Sequence, residues 1–205
     1  MLMQHSDGQT LIETIVAIFV LTTGLAAGLG LAIYAFGASS EIVERITATG
    51  LAREGIEVIR SKRDSNWLAG TLSDCGDGQR CYTTWLNGIA GAAGGHIYKP
   101  AFLSNNPGNK WNIVDKASGD FRLYRQADGT FSLTGSPNPP TPFFRKIFIV
   151  NWATDGMGNT SQVLVRSVVW WSGKNCAAIA DYNPPTLTTN CKVVTEEILT
   201  NWKNY

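Results

Sequence analysis

Glu13 is the residue whose type and position most need a chemical explanation. It immediately precedes residues 14–38, TIVAIFVLTTGLAAGLGLAIYAFGA, a run of 25 residues without Asp, Glu, Lys, Arg or His. A carboxylate near or inside a bilayer costs several kcal/mol unless it is paired or protonated. Glu13 is therefore a functional candidate, and the alternative is a carboxylate that lies in the lipid headgroup region.

Four cysteines form the second candidate site: Cys75, Cys81, Cys176 and Cys191. The two close pairs are separated by 6 and 15 positions, whereas zinc ribbons favour paired C-x₂-C spacings. An even number of cysteines favours disulfides in an oxidising compartment. Of the three possible connectivities we favour Cys75 with Cys81 and Cys176 with Cys191, because each pair closes a short loop containing Gly or Pro.

The rest of the chain offers little material for catalysis. It has two histidines, which leaves little for a histidine-based triad. Its formal net charge is +1, so no strong field of one sign attracts polyanions, and we do not expect nucleic acid as a partner. No Walker loop, dinucleotide fingerprint, nucleophile elbow or HExxH motif occurs. We expect neither an enzyme nor a bound cofactor or metal.

The uncharged run is long enough to cross a membrane. As an α-helix it would extend roughly 38 Å, compared with about 30 Å for the hydrocarbon layer. A cleavable secretory signal would have a basic start and a shorter apolar region. We therefore expect a membrane-resident helix that contacts lipid.

The residues around Glu13 carry a family resemblance. The string GQTLIET at residues 8–14 resembles the processing site of type IV prepilins and pseudopilins, and LAREGIEVIRSKRDSNW at 51–67 resembles the PilV-like subgroup. The resemblance implies that prepilin peptidase removes residues 1–8 by cutting between Gly8 and Gln9. It also implies that Gln9 becomes N-methylated and that Glu13 is the fifth mature residue.

Physical chemistry supports such a role for Glu13. Cleavage after Gly8 would free a positively charged α-amino group on Gln9. When helices of several subunits pack in a dry bundle, this cation can neutralise Glu13 of a neighbour. A stagger that leaves the carboxylate unpaired is penalised, so Glu13 would select the register of assembly.

Glycines within the apolar run form a further candidate feature. Gly24, Gly28 and Gly30 lie in it, and the first two have a small-xxx-small spacing that allows helices to approach closely. Ordinary packing within a membrane helix is the alternative explanation. The family resemblance implies a local extension hinge at residues 22–30 on assembly.

Beyond residue 38 the pattern predicts an α+β head. Residues 39–64 continue the helix as an amphipathic segment, and residues 65–120, rich in Gly, Asn, Ser and Pro, read as an irregular connection. Alternating apolar runs then predict an antiparallel sheet packed on the amphipathic half of the helix. The predicted segments are 1–8 (leader), 9–38 (membrane and filament-core helix), 39–64, 65–120 and 121–205 (β head), with strands near 121–126, 130–134, 143–152, 162–171 and 191–202.

These features together favour a pilin-like structural subunit held in the cytoplasmic membrane and later exposed in an extracellular or periplasmic filament. Its expected partners are other pilin or pseudopilin subunits, prepilin peptidase, the inner-membrane assembly platform and membrane lipid before assembly. One alternative is a membrane-anchored adhesion or carbohydrate-binding protein, which would use the helix only as a tether. Another is a membrane-anchored enzyme, which would require a catalytic group among the Asp, Glu and Ser residues of the head.

Overall fold

A computed structural model describes most of the helix and sheet. The described residues are 11–69, 85–86, 88–89, 96–102, 111–115, 120–127, 129–132, 138–154, 160–173, 176 and 190–201. The chain divides into two compact units, Met1–Val43 and Glu44–Tyr205. The predicted processing residues Gly8 and Gln9 and the predicted pair Cys75 and Cys81 lie outside the described residues.

The helix α1 spans Leu11–Ala69, and its side chains change character along its length. In the first unit the large apolar side chains are exposed from Leu11 to Phe36. In the second unit the helix is amphipathic: Glu57 is exposed, whereas Ala48, Leu51, Ala52, Ile56 and Ile59 are buried at helical spacing.

The helix ends later than the sequence predicted, at Ala69 instead of near residue 64. The reason is a tertiary contact. Trp67 is buried, its ring stacks on Trp85 with centroids 6.3 Å apart, and its indole Nε1 donates a hydrogen bond to Asn201 Oδ1 at 3.2 Å. These contacts favour an additional turn of helix.

Seven strands of the described part of the second unit form one antiparallel sheet. Their bounds are β1 His96–Phe102, β2 Trp111–Asp115, β3 Arg122–Arg125, β4 Phe131–Ser132, β5 Pro140–Thr154, β6 Thr160–Trp171 and β7 Lys192–Thr200. The long strand β5 is central. One of its edges pairs with β6, which in turn pairs with β7, while its other edge pairs with both β3 and β1.

This arrangement confirms the α+β class and the antiparallel sheet packed on the helix, and it corrects two details. Residues 65–120 were expected to be irregular, but β1 and β2 lie within them. A simple meander would also place β4 beside β5, whereas β3 occupies that position. The hydroxyl of Thr141 donates to the carbonyl of Leu123 at 2.7 Å and Phe121 packs with Phe144, which favours the β3–β5 pairing.

The core lies between the sheet and the second half of α1, in two adjoining clusters. One joins Ala48, Leu51 and Ala52 of the helix to Val169 and Trp171, and the other joins Ile59 and Trp67 to side chains of β5, β6 and β7. A third cluster, made of Phe121, Phe144, Val168 and Trp170, lies on the opposite face of the sheet. We call that opposite face the outer face.

Candidate functional site

The candidate assembly site is the helix of the first unit. Glu13 lies in the first turn of α1 and its side chain is exposed. The helix is long and apolar enough to span a membrane, and among the described residues it is the only one that is. A carboxylate therefore lies at the border of a surface that has no other charged side chain as far as residue 38.

Threonine hydroxyls in this helix satisfy their hydrogen bonds locally. Thr14 donates to the carbonyl of Leu11 at 2.8 Å, and Thr22 and Thr23 donate to the carbonyl of Phe19 at 3.0 and 2.9 Å. A hydroxyl that bonds to its own helix backbone loses little when it is transferred to an apolar medium. No described residue forms a hydrogen bond or ion pair with the Glu13 carboxylate, which distinguishes Glu13 from the threonines of this segment.

Gly24, Gly28 and Gly30 are helical, and a Cβ added at any of them would meet nothing within 4 Å. Within the first unit no contact explains why these positions are small. The predicted extension of residues 22–30 concerns the assembled state and stays a prediction.

A buried arginine on the sheet forms a hydrogen bond and an ion pair with the second half of α1. Arg145 on β5 has no exposed surface; its Nη1 donates to the carbonyl of Leu51 at 3.1 Å and lies 3.4 Å from Glu54 Oε2. Burial lowers the pKa of Arg145, and the charge of Glu54 partly offsets that effect. Within the described residues Nε and Nη2 of Arg145 have no hydrogen-bond partner.

A second ion pair joins the helix to the last strand. Nη2 of Arg60 donates to both carboxylate oxygens of Glu197, at 2.5 and 2.6 Å, and Nη1 donates to Glu57. The hydrogen bond with Glu197 raises the pKa of Arg60. This pair is partly exposed, so we expect it to orient the helix more than it stabilises the fold.

Gly55 lies where the helix and the sheet are closest. A Cβ at this position would lie 2.6 Å from Ser167 Oγ and 3.1 Å from Ile147 Cδ1. Only glycine leaves room for the buried Ser167 side chain, whose hydroxyl has no hydrogen-bond partner within the described residues. Helix and strand are therefore held in one register by a close contact as well as by Arg145.

The cysteine prediction is confirmed for one pair. Cys176 and Cys191 form a disulfide with their Cα atoms 5.8 Å apart. The bond ties the chain just after β6 to the chain just before β7, and Cys191 packs in the core beside Trp171.

Sequence reasoning missed Arg145, its buried neighbour Lys146 and the close contact at Gly55. Arg145 and Lys146 interrupt an apolar strand, and such charges usually indicate a solvent-exposed face. Lys146 instead lies on the outer face with Nζ 4.7 Å from the ring of Phe121. The alternation of side chains along a strand could have indicated this, because two adjacent residues such as Arg145 and Lys146 point to opposite faces of the sheet. At least one of the two therefore has to lie on the face that packs against the helix.

Comparison with known proteins adds no family assignment: no protein-family model, no curated protein and no solved structure matches the chain.

Proposed function

We propose that this chain is a structural subunit of a type IV pilus or a related secretion pseudopilus and assembles through its N-terminal helix. The observation that carries the proposal is the first half of α1. It is uncharged over residues 14–38, exposes its large apolar side chains throughout the first unit, and has Glu13 at its N-terminal end.

An apolar surface of this extent needs a cover other than water. Lipid provides it before assembly, because the run is long enough to span the hydrocarbon layer. After assembly, helices of neighbouring subunits take its place. The same side chains serve both states, since lipid tails and packed leucines are about equally apolar.

Glu13 is the residue that distinguishes assembly from simple anchoring. Prepilin peptidase would cut between Gly8 and Gln9, and the amino group of Gln9, methylated after cleavage, would remain a cation. In the dry filament core that cation would pair with Glu13 of a neighbouring subunit. The pair would set the axial stagger, because a misaligned copy buries an uncompensated charge.

The second unit would form the head that the filament presents outside the membrane. The Cys176–Cys191 disulfide supports a periplasmic or extracellular position, because such bonds persist mainly in oxidising compartments. Arg145 and Arg60 would hold the head on its helix while neighbouring subunits pull on the filament. The expected further partners are the assembly platform in the inner membrane and other pilin subunits.

The test substitutes Glu13 with Ala in the native host and measures two steps separately. Loss of the leader is followed by mass in the membrane fraction, and incorporation is followed in filaments sheared from cells. We expect cleavage to continue and incorporation to fall about tenfold, which corresponds to roughly 1.4 kcal/mol of lost pairing.

Thr14→Ala is the matched control, because the Thr14 hydroxyl donates to the Leu11 carbonyl of its own helix and to no other described residue. It should assemble normally. Normal filament levels from Glu13→Ala would contradict the proposal. Unchanged surface display from Glu13→Leu, with the chain remaining membrane-bound and unassembled, would instead favour the adhesion or carbohydrate-binding alternative, in which the helix is only a tether.

A further inference from the structure

Strand β7 forms an edge of the sheet that the described strands make. Among the described strands it pairs only with β6, and its register from Lys192 to Thr200 has no bulge or shift. The strand contains no proline. Natural proteins usually protect a long regular edge with prolines, bulges or a covering segment, because its free amide groups are a template for another strand.

Two hydrogen bonds establish which backbone groups of β7 face the free edge. Trp171 N–H donates to the carbonyl of Cys191 at 3.2 Å, and Asn201 N–H donates to the carbonyl of Ser161 at 3.1 Å. These two pairs lie one position beyond either end of the β6–β7 register, which runs from Gln162 opposite Thr200 to Trp170 opposite Lys192, and they continue it. Since hydrogen-bonded pairs alternate along an antiparallel ladder, the odd-numbered residues of β7 bond to β6. The even-numbered residues direct their N–H and C=O groups outward.

The side chains of those even-numbered residues lie on the outer face of the sheet. Val194 and Ile198 are 43% and 44% exposed, and between them Glu196 pairs with Arg166 of β6. The free edge is therefore flanked by apolar side chains separated by one acidic residue, with Lys192 at the start of the strand.

We propose that β7 pairs antiparallel with β7 of a second copy of this chain, about a two-fold axis through Val194. In this register Val194 lies opposite Val194 of the second copy. Lys192 lies opposite Glu196 of the second copy, and the reciprocal pair repeats the contact. The three central pairs would exchange about six backbone hydrogen bonds, because each bonded pair contributes two.

Charge selects this register from the others that the backbone allows. A two-fold axis through Glu196 would place two carboxylates directly opposite each other, and one through Lys192 would do the same with two ammonium groups. Like charges in directly opposite positions destabilise a sheet, whereas opposite charges stabilise it by about 0.2–1 kcal/mol per pair. A register centred on Thr195 would place Glu196 opposite Val194 and would form no ion pair.

This contact does not rest on the proposed function. A two-fold axis perpendicular to the sheet reverses the direction of the helix segment packed on it. The interface therefore joins oppositely directed copies and differs from side-by-side packing of parallel helices.

The experiment uses the full chain, purified in detergent micelles, with Val194→Cys. Residues in a hydrogen-bonded pair have Cα atoms about 5.5 Å apart, within the range that a disulfide bridges. Ile198→Cys is the matched control, because it is equally exposed but would lie about 27 Å from its counterpart, at 3.4 Å per residue. Mild oxidation is followed by non-reducing electrophoresis, and peptide mapping separates new disulfides from those of the native cysteines.

We expect the Val194→Cys chain to form at least tenfold more covalent dimer than the Ile198→Cys chain. Glu196→Lys in the Val194→Cys background should lower the dimer yield, and adding Lys192→Glu should restore it. Equal yields from the two cysteine variants, more dimer from Ile198→Cys, or no dimer from Val194→Cys would each overturn the proposal. None of these results bears on leader cleavage or on Glu13, so the two proposals fail independently.

Discussion

The contact between Gly55 and Ser167 gives a quantitative test of how α1 is held on the sheet. A methyl group at Gly55 would lie 2.6 Å from Ser167 Oγ, closer than real Cβ atoms approach a neighbour. Alanine would gain about 1 kcal/mol in helix propensity, but overpacking a rigid core costs about 1–3 kcal/mol. We expect Gly55→Ala to lower the free energy of unfolding by about 1 kcal/mol.

Gly50→Ala is the matched control on the same helix. Gly50 is exposed and an added Cβ there meets nothing within 4 Å, so the propensity gain should appear alone, as a stabilisation of about 1 kcal/mol. The two glycine substitutions are chemically identical. Their expected difference of about 2 kcal/mol therefore measures the close approach of helix and sheet.

Ser167→Ala identifies the atom responsible. The hydroxyl is buried without a partner among the described residues, so removing it should leave stability unchanged or raise it by about 1 kcal/mol. In the double variant with Gly55→Ala the shortest contact disappears, and we expect a favourable coupling of about 1 kcal/mol, roughly half of the overpacking cost. The contact with Ile147 at 3.1 Å remains and limits the rescue.

The assay is urea unfolding of the detergent-solubilised full chain, followed by tryptophan fluorescence; Trp67, Trp85, Trp170 and Trp171 are all buried in the second unit. Equal stabilisation by Gly55→Ala and Gly50→Ala would refute the close contact. Strict additivity in the double variant would show that Ser167 is not the obstructing side chain.

Three further predictions concern the second unit. Glu54→Gln removes the charge beside the buried Arg145 and should destabilise the head by about 2 kcal/mol in urea unfolding. This is less than the roughly 3–5 kcal/mol for breaking a fully buried pair, because Glu54 is partly exposed. Replacing both Cys176 and Cys191 with alanine opens a loop of 15 residues and should cost about 3 kcal/mol in the same assay. Burial raises the pKa of Tyr124 in the folded chain above its ordinary value near 10. The contribution of Tyr124 to stability is therefore complete below about pH 10 and is lost as the pH rises through the folded-state pKa. A difference ultraviolet titration against Tyr124→Phe measures the folded-state pKa.

Local sequence patterns predicted the elements that carry their own signal. The uncharged run of residues 14–38 predicted a helix, and the alternating apolar residues of β5, β6 and β7 predicted strands within a few residues of their observed ends. The Cys176–Cys191 pairing followed from loop length. Each of these inferences needed only neighbours in the sequence.

The missed features depend on partners that are distant in the sequence. Strand β1 lies in a segment rich in glycine. It pairs with β5 from Ile147 to Ile149, and its own composition does not indicate that β5 is its neighbour. Arg145 is buried because the Leu51 carbonyl and Glu54 lie above it. The helix continues past residue 64 because Trp67 reaches Asn201. Such contacts depend on tertiary packing, and the hydrophobic periodicity of the local sequence does not reveal them.

The most direct test of the central claim is the intact mass of the chain isolated from its native membrane or filament, together with its N-terminal sequence. The proposed subunit should begin at Gln9 and carry one added methyl group, having lost residues 1–8. A chain that still contains Met1, or one cut elsewhere than between Gly8 and Gln9, would contradict assembly through a processed helix with Glu13 as the fifth residue.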